Sequence, residues 1–121
     1  MRTKEAIKYY LKSKRKITVM EEELRVLQRR IDLTNDSEKM AEKQRLEVQI
    51  SQNEAFLNKV DFTMGVLKAD FEEEVYELFY LKHFKSKTLE YLALEFNYGS
   101  TTSVWRRIKT LELEFEELMN H

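Results

Sequence analysis

The sequence predicts an all-α protein, with a long N-terminal helical hairpin followed by a small C-terminal helix-turn-helix domain. The 121-residue chain has no proline and only two glycines, Gly65 and Gly99, so it lacks the residues that usually separate strands. Apolar residues recur in alternating steps of four and three, which is the spacing of one helix face. Charged residues make up 36% of the chain, which is too many for a single compact core and favours a partly extended molecule.

Composition also excludes several kinds of functional site. With no cysteine and two histidines, His83 and His121, the chain cannot form disulfides or thiol-ligated metal sites, and it has too few histidines for a typical zinc site. We therefore expect no cofactor and no metal. No apolar run reaches the roughly 18 residues of a membrane helix, and the first residues lack the apolar core of a signal peptide. These features indicate a soluble, cytoplasmic protein without a membrane partner.

Two long helices are predicted in residues 1–68. One apolar seam runs from Tyr10 to Ile31 and a second from Leu46 to Leu67, both in steps of four and three. The segment between them, residues 34–37, is rich in turn formers, and Asn35 and Glu38 have the spacing of a capping box. A short turn at this point would fold the two helices into an antiparallel hairpin.

The hairpin is also predicted to be an oligomerisation domain. Its seams offer more apolar length than two helices alone are expected to cover, which favours a homo-oligomer. The alternative is that the seams pack only against each other and the C-terminal domain within a monomer. The residues expected at the interface between copies are Ile17, Met20, Leu24, Leu27, Ile31, Leu46, Ile50, Leu57 and Val60.

Composition changes near Gly65, which predicts a break between the hairpin and a second domain in residues 69–121. Asp70 is expected to cap the next helix, because Glu73 follows it at capping-box spacing. Thr88 should open a helix of about two turns, whose inner face is Leu89, Leu92, Ala93 and Phe96.

A last helix is predicted to follow a tight turn at residues 97–99. Gly99 is expected to adopt the positive φ of this turn, and Ser100 or Thr101 to cap the helix, which should end at about Leu118. Steps of four and three place its buried face on Val104, Ile108, Leu111, Phe115 and Leu118. Three helices joined by short turns predict a helix-turn-helix.

The segment TLEYLALEFNYGSTTSVWRRIKTLELEFEEL resembles the helix-turn-helix in the fourth region of bacterial sigma factors. It is more similar to the RinA- and ArpU-type late transcription regulators of bacteriophages, which also carry a long charged helix. The resemblance is specific over residues 70–119, and Gly99 lengthens its turn by one residue. It rests on Phe79-Tyr80, Leu92-Ala93, Phe96-Asn97-Tyr98 and Val104-Trp105-Arg106-Arg107-Ile108-Lys109. It implies a phage or prophage transcription regulator that binds double-stranded DNA.

The outer face of the last helix is the predicted DNA-binding surface. At 100° per residue, Arg106 points away from the apolar face, and it is expected to contact base edges while Arg107 and Lys109 hold phosphates. If the longer turn rotates the helix, the base contacts pass to Ser103, Arg107 and Thr110. Trp105 is expected to pack against the domain. The full candidate set is Lys87, Ser100, Thr101, Thr102, Ser103, Arg106, Arg107, Lys109 and Thr110; an ordinary solvated helix face is the alternative.

A basic segment at the start of the chain is a second candidate contact with DNA. Residues 1–20 hold seven basic side chains and one acidic one, although the whole chain has a net charge of −1. Such a run is typical of an arm that binds a polyanion, and a solvated helix face is again the alternative. The residues concerned are Lys12, Lys14, Arg15 and Lys16.

Three functions remain open on the sequence alone. The first is a phage-type regulator; the others are a small-terminase-like DNA-packaging subunit and a helical protein-protein adaptor. The acidic residues have no histidine, nucleophile or phosphate-binding glycine loop beside them, so we do not expect an enzyme. Four glutamates in the last helix are expected either to be solvated or to contact a protein such as RNA polymerase; they are Glu112, Glu114, Glu116 and Glu117.

Overall fold

The computed structural model describes all 121 residues and confirms the all-α class with two long N-terminal helices. It contains five helices and no strand: α1 (Thr3–Thr34), α2 (Ser37–Asp70), α3 (Glu73–Phe84), α4 (Leu89–Glu95) and α5 (Thr101–Met119). None of these helices combines the length and the apolar character needed to span a bilayer. The chain divides into two compact units, residues 9–59 and residues 1–8 with 60–121.

In the first unit, α1 and α2 pack antiparallel along their apolar seams. Ile17, Met20 and Ile50 form a buried cluster, and Leu24, Leu46 and Leu57 pack against it. Closer to the end of the unit, the rings of Tyr9 and Phe56 meet edge to face with centroids 4.9 Å apart. The two seams therefore pack against each other within one chain, because the short turn places the two helices side by side.

That turn consists of Asn35 and Asp36, and its cap differs from the prediction. Asn35 adopts a φ of 55°, a left-handed conformation that Asn tolerates better than most residues. The Asp36 carboxylate accepts the backbone N–H of Glu38 at 2.9 Å. The N-cap residue of α2 is therefore Asp36, one residue after Asn35, which the capping-box spacing with Glu38 had predicted.

The predicted break near Gly65 was wrong, because α2 continues without interruption to Asp70. A glycine costs a helix only about 1 kcal/mol relative to alanine. That cost is outweighed by the burial of Val60, Met64 and Leu67 on one face of the same helix. Asp70 consequently ends α2 instead of capping α3, whose N-cap residue, Glu72, makes no side-chain capping hydrogen bond.

In the second unit, α5 packs against α3 and α4 through one apolar face. Val104, Ile108, Leu111 and Phe115 are fully buried, as predicted from their spacing. The ring of Phe115 lies 5.9 Å from that of Phe79 on α3, measured between centroids. The last buried position is Met119 and not Leu118, and the Met119 sulfur accepts a hydrogen bond from the Thr63 hydroxyl at 3.5 Å.

The bounds of the compact units differ from the predicted domains of residues 1–68 and 69–121. The first eight residues and residues 60–68 belong with the C-terminal helices. At the start of α1, the Thr3 hydroxyl lies 2.8 Å from the Glu116 carboxylate and 3.2 Å from the Glu112 carbonyl oxygen, so these two acceptors share its one proton. Both long helices thus contribute residues to both units.

The five residues between α4 and α5 reverse the chain at Asn97 and not at Gly99. Asn97 has a φ of 60°, whereas neither glycine has a positive φ. The N–H of Tyr98 donates to the Ala93 carbonyl at 2.8 Å, and that of Asn97 donates to the Leu94 carbonyl at 3.4 Å. These two bonds form a Schellman motif, in which the left-handed residue directly follows the C-cap residue.

The predicted caps of α4 and α5 are confirmed. The Thr88 hydroxyl accepts the N–H of Tyr91 at 3.1 Å, and the Ser100 hydroxyl accepts the N–H of Ser103 at 3.3 Å. Each hydroxyl satisfies a backbone donor that the first helical turn leaves unpaired. Of the two candidates for α5, the cap residue is therefore Ser100.

We predict that Asn97→Ala lowers the free energy of unfolding by about 1 kcal/mol. Alanine has a Cβ that disfavours the left-handed conformation, and it lacks the short polar side chain with which asparagine offsets this cost. Asn97→Gly should cost little, since glycine adopts this conformation freely. Gly99→Ala is the matched control: Gly99 lacks a positive φ, and an added Cβ would have no neighbour within 4 Å. Urea denaturation measures all three, and a larger loss for Gly99→Ala than for Asn97→Ala would contradict the assignment.

Candidate nucleic-acid interface

The exposed side of α5 carries the cationic residues of the predicted DNA-binding surface. Between Ser100 and Thr110 the chain has three basic residues and no acidic one. Five candidates are exposed on this helix: Thr102, Arg106, Arg107, Lys109 and Thr110. Thr101 and Ser103 are half-buried, while Ser100 and Lys87 are exposed outside the helix. We call the exposed residues Thr102, Arg106, Lys109 and Thr110 the outer face of α5.

Arg106 occupies the centre of this outer face. Val104 and Ile108, on the opposite side of the helix, are fully buried. The geometry of the helix therefore turns Arg106 toward solvent. Its own carbonyl accepts the Thr110 hydroxyl at 3.2 Å, whereas its guanidinium makes no ion pair. Arg106 can thus meet a ligand without first breaking an intramolecular contact.

Arg107 is held against the preceding turn. Its guanidinium lies 4.7 Å from the centroid of the Tyr98 ring, and Nη1 donates to the Ser103 carbonyl at 3.2 Å. The Tyr98 hydroxyl donates in turn to the Glu74 carboxylate at 3.3 Å. Burial, followed by the charge of Glu74, raises the pKa of the Tyr98 phenol, which therefore remains a donor at neutral pH. Arg107 thus connects α5 to Tyr98 in the turn, and Tyr98 connects the turn to α3.

Lys109 lies beside an acidic residue that has other partners. Glu112 Oε1 lies 2.9 Å from His83 Nε2 and 3.6 Å from Lys82 Nζ, and Glu112 Oε2 lies 4.0 Å from Lys109 Nζ. The hydrogen bond from His83 is the main cause that holds the pKa of Glu112 below its ordinary value, against the opposing effect of burial. The carboxylate nearest to the outer face is thus engaged by side chains of α3 as well as by Lys109.

Two of the four C-terminal glutamates have intramolecular roles, contrary to the expectation that all would be solvated or bind a partner. Glu112 forms the contacts just described. Glu116 Oε2 accepts both the backbone N–H of Thr3 at 3.2 Å and its hydroxyl. A carboxylate in this position satisfies a free donor at the N-terminus of α1 and complements the helix dipole. Of the other two, Glu117 is exposed and Glu114 is half-buried.

Three hydroxyls of the candidate set, those of Ser100, Ser103 and Thr110, are already hydrogen bonded. Ser103 Oγ lies 3.2 Å from Ser100 Oγ at the helix cap. The Thr110 hydroxyl donates to the carbonyl one turn earlier. Thr102, one turn before Arg106, is the remaining exposed hydroxyl on this face. These contacts favour the register centred on Arg106 over the alternative that uses Ser103, Arg107 and Thr110.

Large apolar side chains are also exposed on α4 and α5, which the sequence pattern did not predict. Trp105, expected to pack against the domain, is 46% exposed, because it lies about a quarter turn from the buried face of α5. On α4, Leu94 is 81% exposed. Tyr91 is also exposed, and Lys87 Nζ lies 4.8 Å from the centroid of its ring. The helix-turn-helix surface is thus a mixture of cations and apolar groups.

The basic segment and eight of the nine seam residues belong to the unit formed by residues 9–59, whereas Val60 belongs to the unit that contains α5. Lys12, Lys14, Arg15 and Lys16 are exposed on α1 in the unit formed by residues 9–59. Lys14 Nζ lies 5.5 Å from the Tyr10 ring centroid. The nine residues predicted at an interface between copies are all buried or half-buried within the single chain. Six of them are buried, whereas Leu24, Leu46 and Leu57 are only half-buried. An interface between copies along these residues stays a prediction.

Comparison with known proteins found no matching family model, no matching curated protein and no matching solved structure. The structure also shows no group of three or more histidine, aspartate or glutamate side chains arranged to hold a metal ion.

We predict that Glu112→Gln lowers the free energy of unfolding at neutral pH by about 1–2 kcal/mol, because it removes the charge from a hydrogen bond with His83. Folding lowers the pKa of Glu112 from 4.5, so its contribution is complete above that value and is lost as the pH falls through the lower, folded pKa. The difference between the wild type and Glu112→Gln should therefore shrink below pH 4.5. Denaturation at several pH values measures it, with Glu117→Gln as the exposed control on the same helix.

Proposed function

We propose that this protein is a sequence-specific DNA-binding transcription regulator, similar to the late regulators of bacteriophages, with α5 as its recognition helix. The observation that carries the proposal is the acid-free, cationic outer face of α5, centred on Arg106 and presented directly after a tight turn. An α-helix fits the major groove of B-DNA, and arginine is the commonest side chain that distinguishes guanine there. The partner is double-stranded DNA in the cytoplasm of a bacterial host.

The contacts of the two arginines of α5 fit two different roles, in which one arginine holds a phosphate and the other contacts a base. Arg107 is fixed by Tyr98 and Ser103 at the side of α5, where a guanidinium can hold a backbone phosphate. Arg106 makes no ion pair and can extend to a base edge. The capped N-terminus of α5 adds the positive end of a helix dipole on the same side. Nothing in this arrangement requires catalysis, and the proposed protein is not an enzyme.

We predict that Arg106→Ala weakens binding to the preferred site by about 1–3 kcal/mol and binding to scrambled DNA very little, because it removes a base contact. Lys109→Ala should weaken both complexes by similar amounts, since a phosphate contact carries no sequence information. The preferred site is first obtained by selection from random duplexes, and fluorescence titrations then compare it with a scrambled duplex. Equal losses on both duplexes for Arg106→Ala and Arg107→Ala would refute base recognition by α5.

The basic segment of α1 gives a separate prediction. If Lys12, Lys14, Arg15 and Lys16 follow the DNA backbone, replacing all four with alanine should weaken binding to every sequence alike. Each lost phosphate contact should lower the slope of log affinity against log salt by about 0.9. A titration series over salt concentration measures the slope. An unchanged slope would assign these residues to a solvated helix face.

A protein-protein adaptor is the second candidate, favoured by the exposed Leu94 and Trp105 beside the turn. An adaptor would use these apolar groups for a protein partner such as RNA polymerase, and the cations of α5 only at the rim. The two functions differ in one measurement. A regulator enriches a defined sequence from random duplexes, whereas an adaptor enriches none.

A further inference from the structure

A second apolar stripe runs along α1, separate from the seam that packs against α2. It consists of Val19, Val26 and Leu33, which are 58%, 43% and 86% exposed. They follow each other at steps of seven residues, so they line one side of the helix over about 21 Å. All three lie in the unit formed by residues 9–59. We call them the outer stripe of α1.

The outer stripe borders an open groove of about 570 Å³. Val19, Val26 and Leu46 contribute apolar walls, and Glu22, Glu23 and Arg30 lie along it. A surface that combines an apolar centre with charged edges is typical of a helix-helix interface.

The charged residues beside the stripe are arranged so that the surface is complementary to a second, antiparallel copy of itself. Glu22 and Glu23 lie one turn before Val26, and Arg29 and Arg30 lie one turn after it. At 100° per residue, Glu22 and Arg29 fall on one side of the stripe and Glu23 and Arg30 on the other. On each side, a glutamate is thus followed seven residues later by an arginine.

We propose that the outer stripe of α1 binds the same stripe of a second copy of this chain in antiparallel orientation, with the twofold axis at Val26. In that orientation Val19 meets Leu33, and residues on the same side of the stripe meet across the axis. Glu22 then faces Arg29 and Glu23 faces Arg30 on both sides, four ion pairs in all. A parallel pair would instead place glutamate against glutamate and arginine against arginine, which is unfavourable.

The two kinds of pair contribute unequally. Glu22 already pairs with Arg25 of its own helix, so its contact with the second copy competes with an existing one. Glu23 and Arg30 make no ion pair within the chain and carry most of the orientation preference. The proposed interface shares no residue with the proposed DNA contacts, because it uses neither α5 nor the basic residues Lys12, Lys14, Arg15 and Lys16.

Charge reversal tests the interface. We expect the wild type to sediment at twice the 14.7 kDa of one chain at about 100 µM, a concentration suited to a small interface. The variant Glu22→Arg/Glu23→Arg and the variant Arg29→Glu/Arg30→Glu should each sediment as monomers. An equimolar mixture of the two should recover the dimer, because their charges complement each other. A wild type that remains monomeric, or a mixture that does not recover, would overturn the proposal.

Val26→Lys is the test of the apolar centre, and Val48→Lys is its matched control on an exposed position of α2. Val26→Lys places two cations at the twofold axis and should weaken the dimer at least about tenfold. Val48→Lys should leave it unchanged. Equal effects of the two variants would show that the dimer does not use the outer stripe.

Introduced thiols report the orientation, since the chain has no cysteine of its own. Under mild oxidation, Val19→Cys alone should not cross-link, whereas its mixture with Leu33→Cys should form a disulfide between the two variants. A parallel pair would cross-link Val19→Cys to itself and would contradict the proposed orientation. Because each substitution is at an exposed position, the result does not depend on a change in the core.

Discussion

The burial of one face of α5 is the interaction on which the C-terminal unit depends. Val104, Ile108, Leu111 and Phe115 are removed from water, and the Phe115 ring meets Phe79 of α3. Because a helix is rigid, fixing one face also fixes the direction of the other. The exposure of the outer face of α5, with Arg106 at its centre, follows from this packing. Any function of that surface depends on the same apolar contacts.

Ion pairs and hydrogen bonds within the chain determine the electrostatics of this surface. Glu112 places a negative charge beside Lys109, and its Oε1 is engaged by His83 and Lys82 of α3. Glu116 is turned to the N-terminus of α1, where it accepts hydrogen bonds from Thr3. The acidic residues of α5 are thus partly used to hold the unit together, which leaves the exposed cations of the outer face as the charges that a polyanion would meet.

The hairpin carries two apolar surfaces with different roles. The seam around Ile17, Met20 and Ile50 is covered by the other helix of the same chain, so it stabilises the hairpin. The outer stripe of α1 has no such cover. Its flanking charges change sign across Val26, and this reversal makes the surface complementary to its own copy. The seam therefore holds α1 and α2 together, whereas the exposed outer stripe of α1 is available to a second copy of the chain.

Local spacing in the sequence predicts the long helices, the caps at Thr88 and Ser100, and the apolar side of α5. Periodicity and capping act within a few residues, so they are visible without a structure. Three features are visible only in the folded chain: α2 continues through Gly65, Asn97 reverses the chain, and Glu112 is paired with His83. Each of these depends on residues distant in sequence or on competition between neighbouring residues for one conformation. Local spacing does not encode burial or contact across space, and it does not tell which of two neighbouring turn formers adopts the left-handed conformation.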